Sequence, residues 1–368
     1  MKKTLSNLRF AQQFQIKTNI HFNNLSSELF VVSTENQTAE NDQAPVAQKK
    51  RFKKRWFVFL ILLVGLGPYF YFRATSFARK IQTIDFSDAA SVGATPEFSG
   101  TLRVACWNIA HGRGMTFDNW EEGHDEKSER IRQIAAEISS FDADLVVLNE
   151  VDFSATWSGG LDQANAIAQR AGYRYCLKQS NLDFGFIYGR WHFGNVLLSK
   201  YPISDAEVVE FAGVNAWEDW VVGSKRGFAC TVQLAPETQV SVVGLHLESR
   251  SEAVRVKEVP DVCKVTGRLK HPILLAGDLN TTPAHAPHSS TDTDGENAFE
   301  LLVKQSGLSF SPSNVPAPDE YTFSTMQPQS VIDWIMFESM HLKLIDQHVV
   351  NSQLSDHLPV VAEFKLVE

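Results

Sequence analysis

The sequence predicts an α/β fold in which two stacked sheets are covered by helices on their outer faces. Three observations lead there. Beyond about residue 100, apolar runs of strand length alternate with stretches of helical spacing. Several of those runs stop abruptly at a carboxylate, a carboxamide or a histidine. No fixed-period repeat and no interdomain linker breaks the stretch, so it reads as one unit.

The 368-residue chain begins differently. Residues 1–48 are rich in Asn, Gln, Ser and Thr, with few periodic apolar positions. They bury too little to offset the entropy of ordering and are expected to form a disordered tail. The next seven residues, 49–55, include six Lys/Arg and run into seventeen uncharged residues, Trp56 to Phe72, closed by Arg73. Residues 49–73 therefore read as a basic flank and a transmembrane signal anchor, with Trp56, Tyr69 and Tyr71 where interfacial aromatics sit. A buried core helix would rarely lack charge for so long. A cleaved signal peptide would need an unusually long basic region. Only Arg73, Arg79 and Lys80 follow closely, so the positive-inside bias puts the N-terminus in the cytoplasm. The expectation is a single-pass membrane protein with residues 74–100 as linker and residues 101–368 as a periplasmic or extracellular domain.

Charge divides the chain at the same place. Residues 1–80 hold 13 Lys/Arg and four Asp/Glu. Of the chain's 34 basic and 43 acidic residues, 21 and 39 fall beyond residue 80, a net charge of −18 for the globular part. That part lacks the field of a general nucleic-acid binder. Cys106, Cys176, Cys230 and Cys263 are too dispersed for a zinc knuckle and too few for a disulfide scaffold. Export would permit one or two disulfides, and buried free thiols fit equally well.

Leu102 to Trp107 reads as a strand ending at Asn108, Ser128 to Ser140 as a helix, and Leu145 to Leu148 as a buried strand ending at Asn149-Glu150. Leu161 to Ala171 reads as a helix stopped by Gly172. Strands follow at Gly194 to Leu198, Ala206 to Phe211, Phe228 to Leu234 and Val240 to Leu247. A helix from Glu252 to Leu269 leads to Ile273-Leu274-Leu275-Ala276-Gly277-Asp278-Leu279-Asn280. In that octapeptide an apolar run delivers an acid and, two residues on, an amide to the same side of an extended chain. The last strands are Val331 to Phe337, Leu342 to Val350 and Pro359 to Phe364.

Asn108, Glu150, His246, Asp278 with Asn280, and Asp356 with His357 each follow an apolar run, and Asp333 lies inside one. Strands of one sheet converge at their ends, so these terminations can line a single cleft. Carboxylates and carboxamides are hard oxygen donors suited to Mg²⁺ or Mn²⁺. The histidines are then free for proton transfer and charge stabilisation, a set suited to metal-assisted phosphoester hydrolysis.

Six segments, Cys106-Trp107-Asn108-Ile109, Leu148-Asn149-Glu150-Val151, Gly244-Leu245-His246-Leu247-Glu248, Gly277-Asp278-Leu279-Asn280, Ile332-Asp333-Trp334-Ile335 and Ser355-Asp356-His357, together resemble the endonuclease/exonuclease/phosphatase superfamily of deoxyribonucleases, abasic-site endonucleases, neutral sphingomyelinases and inositol-polyphosphate 5-phosphatases. The resemblance spans residues 102–365 and implies a four-layer α/β/β/α sandwich of two mixed β-sheets with flanking helices. It further implies that Glu150 is the principal metal ligand, that Asn108 helps place metal and phosphate, and that Asp356 contributes to a metal site. Asp278 would orient or deprotonate the attacking water and Asn280 hold the scissile phosphate. His246 would donate to a phosphate oxygen or leaving group, while His357 would serve as general base or phosphate clamp with its tautomer fixed by Asp333. By the same resemblance Arg226 faces the site and Asn195 contacts substrate. His111, His124 and His192 are expected to be solvated loop residues.

Two departures bear on substrate. Asn149 replaces the usual Gln, a shortening expected to matter little, and Asp152 stands where the nucleases tend to carry a basic phosphate contact. With the net charge, this weakens a duplex-DNA reading. Nucleic acid and lipid headgroups both remain as the phosphoester partner, the membrane is contacted through residues 56–72, and no obligate protein partner is implied. A catalytically silent binding module on the same scaffold is the alternative, and an unrelated membrane interaction protein the third reading.

Overall fold

The computed structural model describes residues 54–62, 64, 66–67, 81–89, 92–186, 189–211, 225–270 and 272–367. The expected tail, and much of the expected membrane span, lie outside the described residues. The chain divides into two compact units, residues 1–58 and 59–368. Residues 54–62, 64 and 66–67 are helical, with Trp56, Phe57 and Leu60 exposed. No described helix is long and apolar enough to cross a membrane.

The second unit holds two sheets. The larger has seven strands, β1 (Ile81–Asp85), β2 (Thr101–Asn108), β3 (Leu145–Asp152), β4 (Tyr175–Phe186), β5 (Gly189–Ser199), β11 (Leu342–Val349) and β12 (Val360–Leu366), in the order β1-β4-β5-β3-β2-β12-β11. The smaller runs β10-β9-β8-β7-β6, from β6 (Ile203–Val209), β7 (Gly227–Ala235), β8 (Thr238–His246), β9 (Ile273–Asp278) and β10 (Asp333–Phe337). Both sheets are mixed, as expected. The parallel pairs are β2 with β3 and β8 with β9. Helix α1 (His124–Ser140) connects the first pair and α3 (Glu252–Thr266) the second. Two shorter helices, α2 (Gln163–Ala171) and α4 (Ala298–Ser306), complete the layers.

Strand periodicity explains the stacking. Leu102, Val104 and Cys106 of β2 and Leu145 and Val147 of β3 meet Val240, Val242, Leu274 and Ala276 in a core between the sheets. Their alternate neighbours, Ala105, Trp107, Val146 and Leu148, pack under α1 and α2 with Ile131, Ile134, Ile138 and Ile167. On the far side Val243, Leu245, Leu275 and Trp334 pack under α3 and α4 with Val259, Val262 and Phe299. A central strand buried on both faces must be apolar at every position, which is why these strands read as unbroken apolar runs.

Three elements depart from the expected pattern. Strand β1 lies in the stretch read as linker, where five residues with only two partly buried positions leave little periodicity. Strand β4 carries Lys178, Gln179, Ser180, Asn181 and Asp183, polar residues that hide its extended character. Helix α4, capped by Asn297 accepting from the Glu300 amide, was not anticipated. All four cysteines are free thiols, three of them buried.

Candidate functional site

The two crossover units deliver their strand ends to one edge. Asn108 of β2 lies in register with Asn149 of β3, and His246 of β8 with Asp278 of β9. Asp333 opens β10 directly opposite Asp278. Asn108 Nδ2 then donates across the sheets to Asp278 Oδ2 at 3.0 Å, while its Oδ1 accepts from the Ala110 amide at 3.0 Å. A second cross-sheet tie comes from Asn149. Its Oδ1 accepts the Asp278 amide at 2.9 Å, and its Nδ2 donates to Asn195 Oδ1 at 2.8 Å and the Leu245 carbonyl at 3.0 Å. Gly277 makes the tie possible: its φ of 136° suits glycine, and a Cβ there would meet the Leu245 carbonyl at 2.1 Å and Asn149 Oδ1 at 3.1 Å. The shortened side chain at position 149, expected to matter little, is therefore a fully buried bridge between the sheets.

Glu150 owes its direction to a bulge. Leu148 pairs with Val196 and Val151 with Gly194, so Asn149 and Glu150 together oppose Asn195. Glu150 takes a φ of 53°, which turns its carboxylate out of the strand and into the cleft. Around it stand Lys225 Nζ at 3.5 Å, His111 Nε2 at 3.6 Å and His246 Nε2 at 3.8 Å. Burial works to raise its pKa, but Lys225 first and then His111, His246 and His357 outweigh burial and hold the group ionised.

Across the cleft His357 Nδ1 meets Asp333 Oδ2 at 2.9 Å, and its Nε2 lies 3.9 Å from Asp278 Oδ2. Trp107 Nε1 donates to the His357 carbonyl at 2.9 Å and fixes the loop that carries the ring. Burial opposes the imidazolium, yet Asp333 and then Asp278 push its pKa up to about 10. Asp278 is itself raised to about 6, by burial first and by Asp333 against the opposing pull of His357. His246, buried beside Lys225 and 3.4 Å from Asp278, is driven well below the usual imidazole range by burial and then by that ammonium. Asp333 Oδ1 is buried with no hydrogen-bond partner among the described residues.

Two places offer themselves to a cation. Ligand atoms of Asp278, Asp333 and His357 lie within 4.8 Å of one another. In that trio His357 Nδ1 is already engaged by Asp333 at 2.9 Å. Glu150 could also hold a hard divalent ion. Its carboxylate is ionised, Lys225, His111 and His246 lie 3.5 to 3.8 Å from it, and the Asn108 carbonyl oxygen retains a second lone pair.

Asn280 belongs to the cleft by an unexpected route. Strand β9 ends at Asp278 and Asn280 has a φ of 51°, so the extended alternation does not reach it. Its amide donates instead to Asp278 Oδ1 at 3.0 Å and its Nδ2 to the Leu247 carbonyl at 3.1 Å. Asn195 is committed elsewhere, accepting from Asn149 and donating to Gln179 Oε1 at 2.7 Å and the Arg226 carbonyl at 2.8 Å, which leaves no donor for substrate. Arg226 is buried and donates to the Asn181 carbonyl of β4 at 2.9 Å. Asp356 is paired with Arg113 at 2.7 Å and lies outside the acid–histidine cluster. In each case a neighbouring polar group engages the side chain.

Residues missed from sequence complete the cleft. Lys225 sits against both ring nitrogens of His246, at 3.2 Å from Nδ1, and carried no strand-end signature. His111, expected in solvent, is buried with Nδ1 2.7 Å from Asp152 Oδ1. His192 lies within β5 and bonds Ser180 Oγ at 2.9 Å, and His124 opens α1.

Acids, amides and histidines thus gather where the two mixed sheets meet. Residues 105–357 match the Endonuclease/Exonuclease/phosphatase family, and the chain belongs to it. Among solved structures it is similar to an endonuclease/exonuclease/phosphatase from Beutenbergia cavernae, with 22% identity over 72% of each chain and a TM-score of 0.54. The human nocturnin catalytic domain with bound sulfate is 17% identical over 78% of this chain and 97% of its own, with a TM-score of 0.51. ANGEL2, a 2′,3′-cyclic phosphatase in complex with adenosine-2′,3′-vanadate, is 16% identical over 78% and 99%, also with a TM-score of 0.51. No curated protein sequence is significantly similar to the chain.

Proposed function

We propose that the protein is a divalent-metal-dependent phosphodiester hydrolase, with Mg²⁺ or Mn²⁺ held by Glu150 and Asn108. The observation that carries this reading is the buried array Asp333, His357, Asp278 lying beside an ionised Glu150. An ion there would polarise a phosphoryl oxygen and stabilise the charge that develops on it. Asp278, ionised above about pH 6, accepts a proton from the attacking water, and Asn108 holds its carboxylate toward the cleft. His357, protonated at neutral pH and locked by Asp333, donates to a phosphoryl oxygen as a clamp. Neutral His246 donates a hydrogen bond on the leaving-group side, with Lys225 supplying positive charge beside it. Asn280 completes the phosphate pocket with its remaining amide proton.

The surplus of acid beyond residue 80 favours a compact phosphodiester, such as a lipid headgroup or small molecule, over a long polyanion. Full-length protein assayed with Mg²⁺ or Mn²⁺ on bis-para-nitrophenyl phosphate, sphingomyelin and plasmid DNA tests the reading. Metal-dependent turnover lost in Glu150→Ala and His357→Ala supports it. No turnover on any of the three, or turnover indifferent to both substitutions, overturns it.

We also propose that residues 49–73 anchor the chain, with the catalytic unit on the extracytoplasmic side. The support is six basic residues in seven followed by seventeen uncharged ones. Protease added to intact cells removes the catalytic unit on this reading, and its full protection overturns the topology.

A further inference from the structure

The cleft contains a second aspartate–histidine pair, which the hydrolytic scheme does not use. His111 Nδ1 is 2.7 Å from Asp152 Oδ1, and its Nε2 faces Glu150 Oε2 at 3.6 Å. Both oxygens of its aspartate are engaged. Asp152 is fully buried, and its second oxygen accepts from Trp157 Nε1 at 2.8 Å. The Asp152 amide donates to Gln163 Oε1 at 3.0 Å, and Gln163 Nε2 returns to the His111 carbonyl at 2.8 Å. The imidazole stands edge-on to Trp157 and to Phe193, with centroid separations of 5.5 and 5.0 Å. Both His111 and Glu150 have positive φ, at 56° and 53°, so two strained residues are held face to face.

Strain of that kind persists only where the surroundings over-determine it. Here they over-determine one thing, the position of the imidazole edge against the Glu150 carboxylate. From this geometry we infer that His111, oriented by Asp152, is a positioning residue that sets Glu150 for the cation it holds. The inference rests on the proposed role of Glu150 and extends it. His111 borders one oxygen of the carboxylate, and Lys225 and His246 border the other. Groups that orient a metal ligand typically change metal affinity by about 10- to 100-fold when removed.

The test is Mn²⁺ binding to the full-length protein without substrate, read from the paramagnetic resonance of free Mn²⁺. His111→Asn is the informative loss variant, since Asn accepts a positive φ and is too short to reach Glu150. On this inference it and Asp152→Asn each weaken binding about 10- to 100-fold. His111→Gln, long enough to reach, recovers a substantial part of the loss. Thermal midpoints measured on the same samples identify any variant that has lost its fold, and Asp152→Asn or His111→Gln then carries the test. Unchanged or tighter binding in a folded His111→Asn, together with loss in Glu150→Gln, overturns the inference and leaves the role of Glu150 standing. Unchanged binding in Glu150→Gln overturns that role itself.

Discussion

The two aspartate–histidine pairs of the cleft are built alike and finished differently. Each aspartate holds a histidine through Nδ1, at 2.9 Å in Asp333–His357 and 2.7 Å in Asp152–His111, and each Nε2 faces a carboxylate of the site. Asp152 spends both oxygens, one on His111 and one on Trp157. Asp333 keeps one buried oxygen without a hydrogen-bond partner among the described residues. A closed pair is a brace, because both oxygens of its aspartate are already engaged by the side chains of His111 and Trp157. An open pair has capacity left to accept a proton or a hydrogen bond from a water. Position agrees with this division, since the open pair adjoins Asp278 and the closed pair adjoins Glu150.

The comparison is broken most severely at the acid served by the open pair. Asp278→Asn should lower kcat by about 10²- to 10⁴-fold at saturating metal, measured on bis-para-nitrophenyl phosphate. A loss below tenfold would remove the proton acceptor from the scheme. Next in size is Asn149, which holds the two halves of the cleft together. Asn149→Ala leaves the Asp278 amide, Asn195 Oδ1 and the Leu245 carbonyl without their partner, and should cost about 2 to 4 kcal/mol in denaturant unfolding.

The pH profile sharpens the contrast further. Activity should rise as Asp278 ionises through about pH 6 and fall as His357 loses its proton through about pH 10. The sign for stability follows the histidine. Its folded pKa is raised, so its contribution is complete below the unfolded value near 6.5 and disappears as pH rises toward 10. Asp333→Asn should move the alkaline limb downward, and a limb that stays in place would detach His357 from it. The smallest expected effect is at Lys225, a cation that borders the carboxylate from the cleft side. Lys225→Ala should tighten Mn²⁺ binding by about three- to tenfold while raising the KM for substrate.

The same contrast explains what was legible in the sequence. The open pair lies in segments where an apolar strand abuts a polar residue, so Asp333, His357, Asp278 and Glu150 were recognisable and the structure brings them together. The double-sided burial of β2, β3, β8 and β9 likewise made the central strands readable. The closed pair joins residues 41 apart through a short turn after β2 and the last position of β3, and no periodicity marks either. Strand β4 escaped because its polar residues serve the site region, with Gln179 and Asn181 bonding to Asn195 and Arg226. Asn195 bonds Asn149, Gln179 and Arg226, and Asp356 pairs with Arg113, partners that only packing reveals.

The division of labour is tested most directly by comparing kcat for Asp333→Asn and Asp152→Asn at saturating Mn²⁺. Opening the catalytic pair should lower kcat by about a hundredfold, whereas loosening the brace, once metal is saturating, should leave kcat within about threefold of the unaltered protein. Equal losses in both variants, or a larger loss in Asp152→Asn, would contradict it.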